Sequence, residues 1–442
     1  MKRPLISGPD EVRNAVQFGR DPLGFLDDLR GGTDELVRAR FAVGPTLAFV
    51  VDPALVQQVL VEENERYWRP DILSSRTQAL TENGLIQSDG ELWQRQRSLL
   101  RPLFGVDRLS GYTETIASVT DDVVGGWEDN EMIDLHREMA AITVRVIASE
   151  LLGTTLDDDE IETILRTSEA IASEFTVSPG TLFRQLLPTP PSWAYREAIT
   201  EMHAWADNLI AQQQRNRPNR ETLITVLLDA ESDPETDLEP NLIRDEVLTF
   251  LFAGYETTAL TLSFALWYVS RRPELAGELR AEAQAVSDDG QLGWTDLPQL
   301  DVAERVVRET LRLRPASWGI FREAQVTSRL GSERIERGDF LMLPQWTLHR
   351  DPRFFDAPEE FDPDRWIEMD PNDTPAYFPF GAGPQSCIGG RLAMTEATLV
   401  LARVCREFDL ETSTEAVDSL RAAGVLQPKH GVPARVRRVQ SG

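Results

Sequence analysis
The residues with the clearest chemical purpose lie late in the chain, in FPFGAGPQSCIGG, residues 378 to 390. Phe380, Gly381, Gly383, Cys387 and Gly389 form the pattern F-G-x-G-x-x-x-C-x-G, with Gln385 and Ile388 flanking the sulfur. Glycines at these spacings let the backbone turn tightly and approach a flat ligand, and they set the sulfur just before a helix start. Amide N–H groups after Cys387 and the positive end of the next helix would stabilise a thiolate, the form that binds metals. A buried structural cysteine in a glycine-rich turn is the rival reading of the loop. Cys405 is the other cysteine, and two cysteines in a 442-residue chain suggest no disulfide framework.

Three further constellations carry weight by their residue types. Ala253-Gly254-Tyr255-Glu256-Thr257-Thr258 interrupts an otherwise apolar segment. A carboxylate and two threonines are costly to insert into a buried stripe. They read either as a proton-handling group or as a helix kink whose threonines bond their own i−4 carbonyls. Glu309 and Arg312 form E-x-x-R on one helix face, by itself an ordinary ion pair. Trp93 and Arg97 sit one turn apart, a spacing most often used for packing with cation–π character. His136, His203, His349 and His430 show no metal-ligand spacing.

The elements that must position these groups are mostly helices. Apolar periodicity predicts helices over residues 89 to 104, 134 to 153, 192 to 216, 241 to 272, 273 to 286 and 301 to 314. The fourth is apolar through its middle and is expected to run through the core. Residues 41 to 51 read as two short strands around Gly44 and Pro45, and Pro53 to Leu60 as a helix capped by Asp52. Short strands with turns at Gly331 and Gly338 fill 328 to 344. The next segment, HRDPRFFDAPEEFDPDRW, is too rich in Pro and Asp to be regular. A helix follows Gly390, and 425 to 439 supplies terminal strands.

Composition narrows the class. The chain is 41 % hydrophobic and shows no repeat, low-complexity tract or Pro/Gly/Ser linker, so one domain over 1–442 is expected, with no fused reductase. No stretch approaches the ~20 apolar residues of a membrane span, and the first residues lack the apolar run of a signal peptide, so a cytoplasmic protein without a membrane anchor is expected. With 73 acidic against 45 basic residues the net charge is −28, and lysine occurs only at Lys2 and Lys429. Such a field repels nucleic acid and anionic lipid. Beyond a solvated acidic surface, this composition resembles that of haloarchaeal proteins and implies a halophilic protein, since molar salt shortens the Debye length to ~3 Å and screens self-repulsion.

The Cys387 loop resembles the cysteine-ligand loop of the cytochrome P-450 superfamily, and the other motifs occur in that family's order over about residues 20 to 435. The resemblance implies a mainly α fold with small β-sheets, the triangular helical prism enclosing haem. It implies haem b (iron protoporphyrin IX) held by Cys387 as metal ligand, a thiolate that favours O–O cleavage. Thr257 would then hold dioxygen and its water, Glu256 would relay protons, Gly254 would leave room above the iron, and Ala253 would be a cofactor-binding neighbour. Trp93 and Arg97 match the family's W-x-x-x-R at the haem propionates, and Arg322 in FREA matches another propionate position. Glu309, Arg312 and Arg365 of FDPDRW would form a buried structural network, and His349 in HRDP would belong to a structural turn.

One departure stands out: the position two before the cysteine is usually Arg or His in this family and here is Gln385, which can donate a hydrogen bond but carries no charge. Arg101 is one candidate to compensate. The implied activity is a monooxygenase that inserts one oxygen atom from O2 into a small apolar organic substrate, lipid, terpenoid or steroid-like. Electrons would come from a separate donor, a ferredoxin or flavoprotein. A haem-thiolate protein that binds a gas or peroxide without turnover is the alternative. Phe175, Leu182, Phe183, Phe250, Leu251, Trp318 and Phe321 are the apolar residues expected to line the pocket, together with Ala316 and the segment 69 to 85.

Overall fold
The computed structural model describes residues 9–40, 46–70, 79–176, 191–233, 241–287 and 292–439. Its longer helices are α1 (Pro9–Arg20), α2 (Gly90–Leu100), α3 (Val106–Gly125), α4 (Leu135–Ile147), α5 (Asp158–Glu174), α6 (Trp193–Arg215), α7 (Leu223–Ser232), α8 (Leu242–Ser270), α9 (Pro273–Val286), α10 (Asp301–Leu313) and α11 (Gly390–Glu407). The strands are short: β1 (Leu36–Arg40), β2 (Thr46–Val50), β3 (Tyr67–Trp68), β4 (Met132–Asp134), β5 (Ile320–Ala324), β6 (Ser328–Leu330), β7 (Glu333–Ile335), β8 (Phe340–Leu343), β9 (Phe408–Thr412), β10 (Leu420–Ala422), β11 (Leu426–Pro428) and β12 (Pro433–Arg438). The fold is therefore mainly helical with small sheets, as expected.

Helix α8 is apolar around its whole circumference and packs against α4, α6, α10 and α11, so almost every residue from Leu242 to Val269 outside the 252–257 stretch is buried. By length and composition α8 could cross a membrane, which corrects the expectation that no stretch approaches a span; here its apolar surface is consumed by the core. Helix ends follow local chemistry. Asp157 and Glu160 form a reciprocal capping box at α5, Ser192 caps α6, and Gly153 in the left-handed region (φ 68°) ends the π turn after α4.

A five-stranded sheet runs β1-β2-β8-β5-β3, with β2 and β8 parallel and the other pairs antiparallel. A second sheet runs β4-β12-β9, and β6–β7 and β10–β11 are hairpins. The first strand lies at Leu36–Arg40, earlier than expected, with the β1–β2 register pairing Arg40 with Thr46, while residues 41–45 lie outside the described residues. Helices α1, α3, α5 and α7 had no counterpart in the expected elements, nor did β4, β5, β9 and β10. The large sheet packs on its own apolar cluster, in which Phe18 and Phe25 meet Phe49 edge-on or tilted.

Candidate functional site
The loop that carries Cys387 has the shape its glycines allow. Gly381 and Gly383 adopt φ of 72° and 68°. A Cβ on Gly383 would lie 2.1 Å from the Leu60 carbonyl oxygen, so the loop presses against the turn at Gln58–Glu62 where only glycine fits. Cys387 N donates to Phe380 O at 2.8 Å, and α11 starts three residues later with Gly389 at its N-cap. Cys387 is exposed, and its exposed face opens onto a cavity of about 370 Å³. Burial pushes the Cys387 thiol up, while the Gly389 amide and the nearby Arg97 guanidinium act the other way. Cys405 is buried, pushed up to about 12 by desolvation, and does not line the cavity.

Behind this loop the E-x-x-R pair becomes a dense network. Glu309 accepts from Arg312 Nε (2.9 Å) and Nη2 (2.7 Å), from Arg365 Nε (3.0 Å), from Trp366 Nε1 (3.0 Å) and from the Asp362 amide (3.0 Å). Arg312 spends its remaining donors on the carbonyls of His349, Pro358 and Glu360. Glu309 and Arg312 have no exposed surface. His349 accepts from the Phe378 amide at 3.0 Å and packs edge-on to the Phe378 ring, so it ties the start of the cysteine loop to this frame. Burial drives its pKa down to about 3, which keeps the ring neutral and able to accept. Gln345 Nε2 donates to Phe378 O at 2.6 Å and completes the anchor.

The cavity brings together Trp93, Arg97, Ala253, Gly254, Thr257, Arg322, Phe380, Gly381, Gln385, Cys387, Ile388 and Gly389. Of the predicted site residues, Gly383 supports the loop from behind and Glu256 turns away from the cavity. On a helix, neighbours point about 100° apart, and Thr257 takes the cavity side. The Glu256 carboxylate instead receives Gln427 Nε2 at 2.6 Å and lies 3.3 Å from His136 Nε2. Although burial alone would raise it, these partners hold Glu256 below the usual carboxylate range, and His136 is raised in turn. Glu256, expected to relay protons, therefore does not itself line the cavity with Thr257. Thr257 Oγ1 donates to Ala253 O at 2.9 Å and Thr258 Oγ1 to Gly254 O at 3.1 Å, the back-bonding that the kink reading anticipated. Gly254 has a packing reason as well, since a Cβ there would meet Ile147 Cδ1 at 2.9 Å.

The expected apolar lining needs revision. Phe250 and Ala316 line the cavity, joined by Leu85, Ile86, Phe104, Ile147, Leu151 and Ile320. Leu251 is buried away from it, Phe175 packs on Tyr195, and Trp318 donates its indole N–H to Ala423 O within the sheet cluster against which Phe321 also rests. Leu182 and Phe183 lie outside the described residues.

The cations around the cavity test whether a haem with two carboxylates fits. Arg322 is buried, its Nη1 donates only to the neighbouring Phe321 carbonyl, and desolvation together with Arg69 lowers its pKa to about 10. Arg97 lies 5.9 Å above the Trp93 ring. Among the described residues neither arginine has a salt-bridge partner, so two buried or half-buried cations face this space uncompensated. Gln385 Nε2 donates to Asp89 Oδ1 at 3.1 Å while its Oε1 lacks a protein partner. Arg69, which sequence reasoning missed as a single residue, lines the cavity and shares Asp89 at 3.2 Å. Arg101 does not line the cavity, so the cation nearest to replacing the missing charge at Gln385 is Arg69. Among the described residues no three His, Cys, Asp or Glu side chains converge, so a metal here would take one protein ligand, Cys387, plus a macrocycle. A flat apolar slab, one thiol and unpaired cations fit haem.

Comparison with known proteins agrees. The family model described as Cytochrome P450 matches residues 11–433. The chain is 33 % identical to the cyclooctat-9-en-7-ol 5-monooxygenase of Streptomyces melanosporofaciens over 92 % of its own length and 90 % of that protein. It is 30 % identical to the pentalenene oxygenase of Streptomyces avermitilis, covering 95 % and 93 %. It is 32 % identical to the cyclooctatin synthase of Streptomyces melanosporofaciens, covering 88 % and 86 %.

Proposed function
The chain belongs to the cytochrome P450 family, and from that premise we propose that this haem-thiolate monooxygenase hydroxylates a cyclic terpenoid-like hydrocarbon. The relatives named for cyclooctat-9-en-7-ol and pentalenene support that substrate class. The observation that carries the reading is the cavity itself: Cys387 shares it with Thr257 and with a wall of Leu85, Phe104, Ile147 and Phe250 that offers a hydrocarbon no hydrogen-bond partner. The reaction balances as R–H + O2 + 2 e⁻ + 2 H⁺ → R–OH + H2O.

Haem b, held through the Cys387 sulfur, supplies the activation of O2 that no protein side chain can provide. The protein does the rest. Gly381 and Gly389 would let backbone approach its flat face, with Gly383 holding the loop from behind, and Phe380 and Ile388 would pack beside it. Arg97, Arg322 and Arg69 would hold the propionates, with Gln385 keeping Asp89 and Arg69 in place. Thr257 Oγ, released from the Ala253 carbonyl, hands protons to the oxygen side of the cavity. Glu256 feeds that path from the His136 side or holds α8 in shape; its position favours the second role until α8 opens locally.

The single domain, cytoplasmic placement and separate electron donor also belong to this reading. The family match spans nearly all of these 442 residues and leaves no length among them for a flavin domain. Exposed Arg101 and Arg391 near the cysteine side offer local positive charge to a ferredoxin or flavoprotein on an otherwise acidic protein. The charge of −28 with two lysines supports a halophilic protein; melting temperature should climb with KCl, and a maximum in dilute buffer rejects it. The functional test is a spin-state titration of the purified haem protein against cyclic terpenoids, with product analysis in a ferredoxin, reductase and NAD(P)H system. High-spin conversion and a hydroxylated product are expected, and a panel that neither shifts the Soret band nor is consumed sinks the substrate class.

A further inference from the structure
The distal wall of the cavity is held from behind by two neighbouring acids. Leu85 and Ile86 line the cavity, and the backbone around them docks on α8. Asp245 Oδ2 accepts from the Asn83 amide at 2.8 Å, and Glu246 Oε2 accepts from the Leu85 amide at 3.1 Å. Between those two bonds sits Gly84, where a Cβ would fall 2.1 Å from Thr249 Oγ1 and 3.0 Å from the Asp245 carbonyl oxygen. Glycine is thus required for the segment to lie flat on the helix. On its other side, Gln96 of α2 donates to Asn83 O and accepts from Ser88 Oγ.

Two consecutive buried carboxylates are an unusual addition to an apolar helix. Asp245 is 1 % and Glu246 0 % exposed, and among the described residues no cation forms a salt bridge with either. The charged and titratable groups facing them are few. Arg244 reaches towards Asp207 at 3.5 Å, His203 Nε2 lies 3.0 Å from Leu80 O, and Glu82 precedes the clamped turn. Glu246 Oε1 and Thr249 Oγ1 have no protein hydrogen-bond partner. The hydrogen bonds these carboxylates make among the described residues run to the Asn83 and Leu85 amides, which gives acids a reason to stand here.

We propose that Asp245 and Glu246 are positioning residues that clamp residues 83–88 onto α8 and so set the wall of Leu85 and Ile86, which decides how large a substrate the cavity accepts. The size selection rests on the monooxygenase reading, because it takes the cavity's occupant to be the substrate. Burial pushes Glu246 up to about 8, with Asp245 also raised, so in the clamped arrangement Glu246 keeps its proton at neutral pH. If the segment lifts and water reaches the carboxyl, it ionises like an ordinary glutamic acid. Rising pH therefore favours the lifted arrangement, and the bias grows until the pH passes the clamped pKa.

The test uses the full-length haem protein with imidazole and 4-phenylimidazole as small and large iron-binding probes, read from the Soret shift without turnover. Asp245→Ala and Glu246→Ala should change the ratio of the two Kd values at least tenfold. They should speed hydrogen exchange at the Asn83 and Leu85 amides by at least tenfold, with the thiolate-type carbon monoxide spectrum intact. Glu246→Gln keeps an acceptor for Leu85 and should restore the wild-type ratio at pH 7 while abolishing its drift between pH 6 and 9. Should an alanine variant lose haem, Gly84→Ala asks the same question: it should shift the ratio, and Thr249→Ala added to it should recover part of the shift. An equal weakening of both probes, or unchanged exchange at the two amides, overturns the clamp. A terpenoid panel that is never oxidised would sink the substrate class while leaving the probe ratio and exchange rates untouched.

Discussion
The Glu309 network behind the cysteine loop and the α8 wall of the cavity are built on opposite principles. In that network Glu309 receives five donors, Arg312 places its donors on both carboxylate oxygens and three carbonyls, and His349 is neutral and bonded, although nearer the cavity Gln345, Gln385 and Glu396 each keep an oxygen without a protein partner. On the α8 side, Glu246 and Thr249 keep atoms without protein partners, Thr257 spends its hydroxyl on its own helix, and Glu246 holds a proton up to about pH 8. A saturated polar network has one arrangement and resists change, whereas a partly satisfied one can exchange partners with ligand and water. The difference teaches that the ligand loop must stay rigid to keep the sulfur in place, while the opposite wall must admit substrate, oxygen and protons.

The comparison breaks most sharply at the sulfur. Cys387→Ser should remove the red-shifted carbon monoxide complex and all turnover, and a variant that keeps both would end the haem-thiolate assignment. Next comes the rigid frame: Glu309→Gln leaves two buried arginines short of a carboxylate and should destabilise the protein by about 3–5 kcal/mol in urea titration, with loss of haem. If that variant melts like the parent, the contrast between the walls is wrong. On the adaptable wall, Thr257→Ala should leave stability and haem content near the parent but lower product formed per electron pair by on the order of 10², with oxygen reduced to peroxide or water instead.

The smallest effect concerns the Glu256–His136 pair. Glu256 is depressed, so its stabilisation is present above the ordinary glutamate pKa of about 4.5 and fades as pH falls through the native value. His136 is raised, so its share is complete below about 6.5 and fades as pH rises through the native value. Stability from this pair should be greatest between those limits. His136→Gln should erase the alkaline decline in melting temperature, and a retained decline would assign it to another group such as Glu246.

Much of the rigid wall was legible in the sequence because its requirements are local. Gly381 and Gly383 need left-handed backbone, Glu309 and Arg312 share a helix face by spacing alone, and Gly389 caps the helix it precedes. The adaptable wall was less legible. Phe250 was placed correctly, yet Trp318 and Phe321 belong to the sheet cluster and Glu256 looks towards β11. Periodicity names a stripe, and it does not say which of two packed neighbours the stripe will face.

The sequence by itself determined the predominance of helix and the shape of the loop that presents the sulfur, because short-range sterics and spacing suffice for each, and its resemblance to the P450 cysteine loop implied the haem-thiolate chemistry. Only the tertiary structure decided that Arg69 stands with Arg97 and Arg322, that Glu256 pairs with His136, and that Asp245 and Glu246 grip the backbone at Asn83 and Leu85. Apart from Arg69 and Arg97, those groupings join residues more than a hundred positions apart. A buried charge takes whatever partner the packed chain brings within reach, and no local pattern encodes that partner.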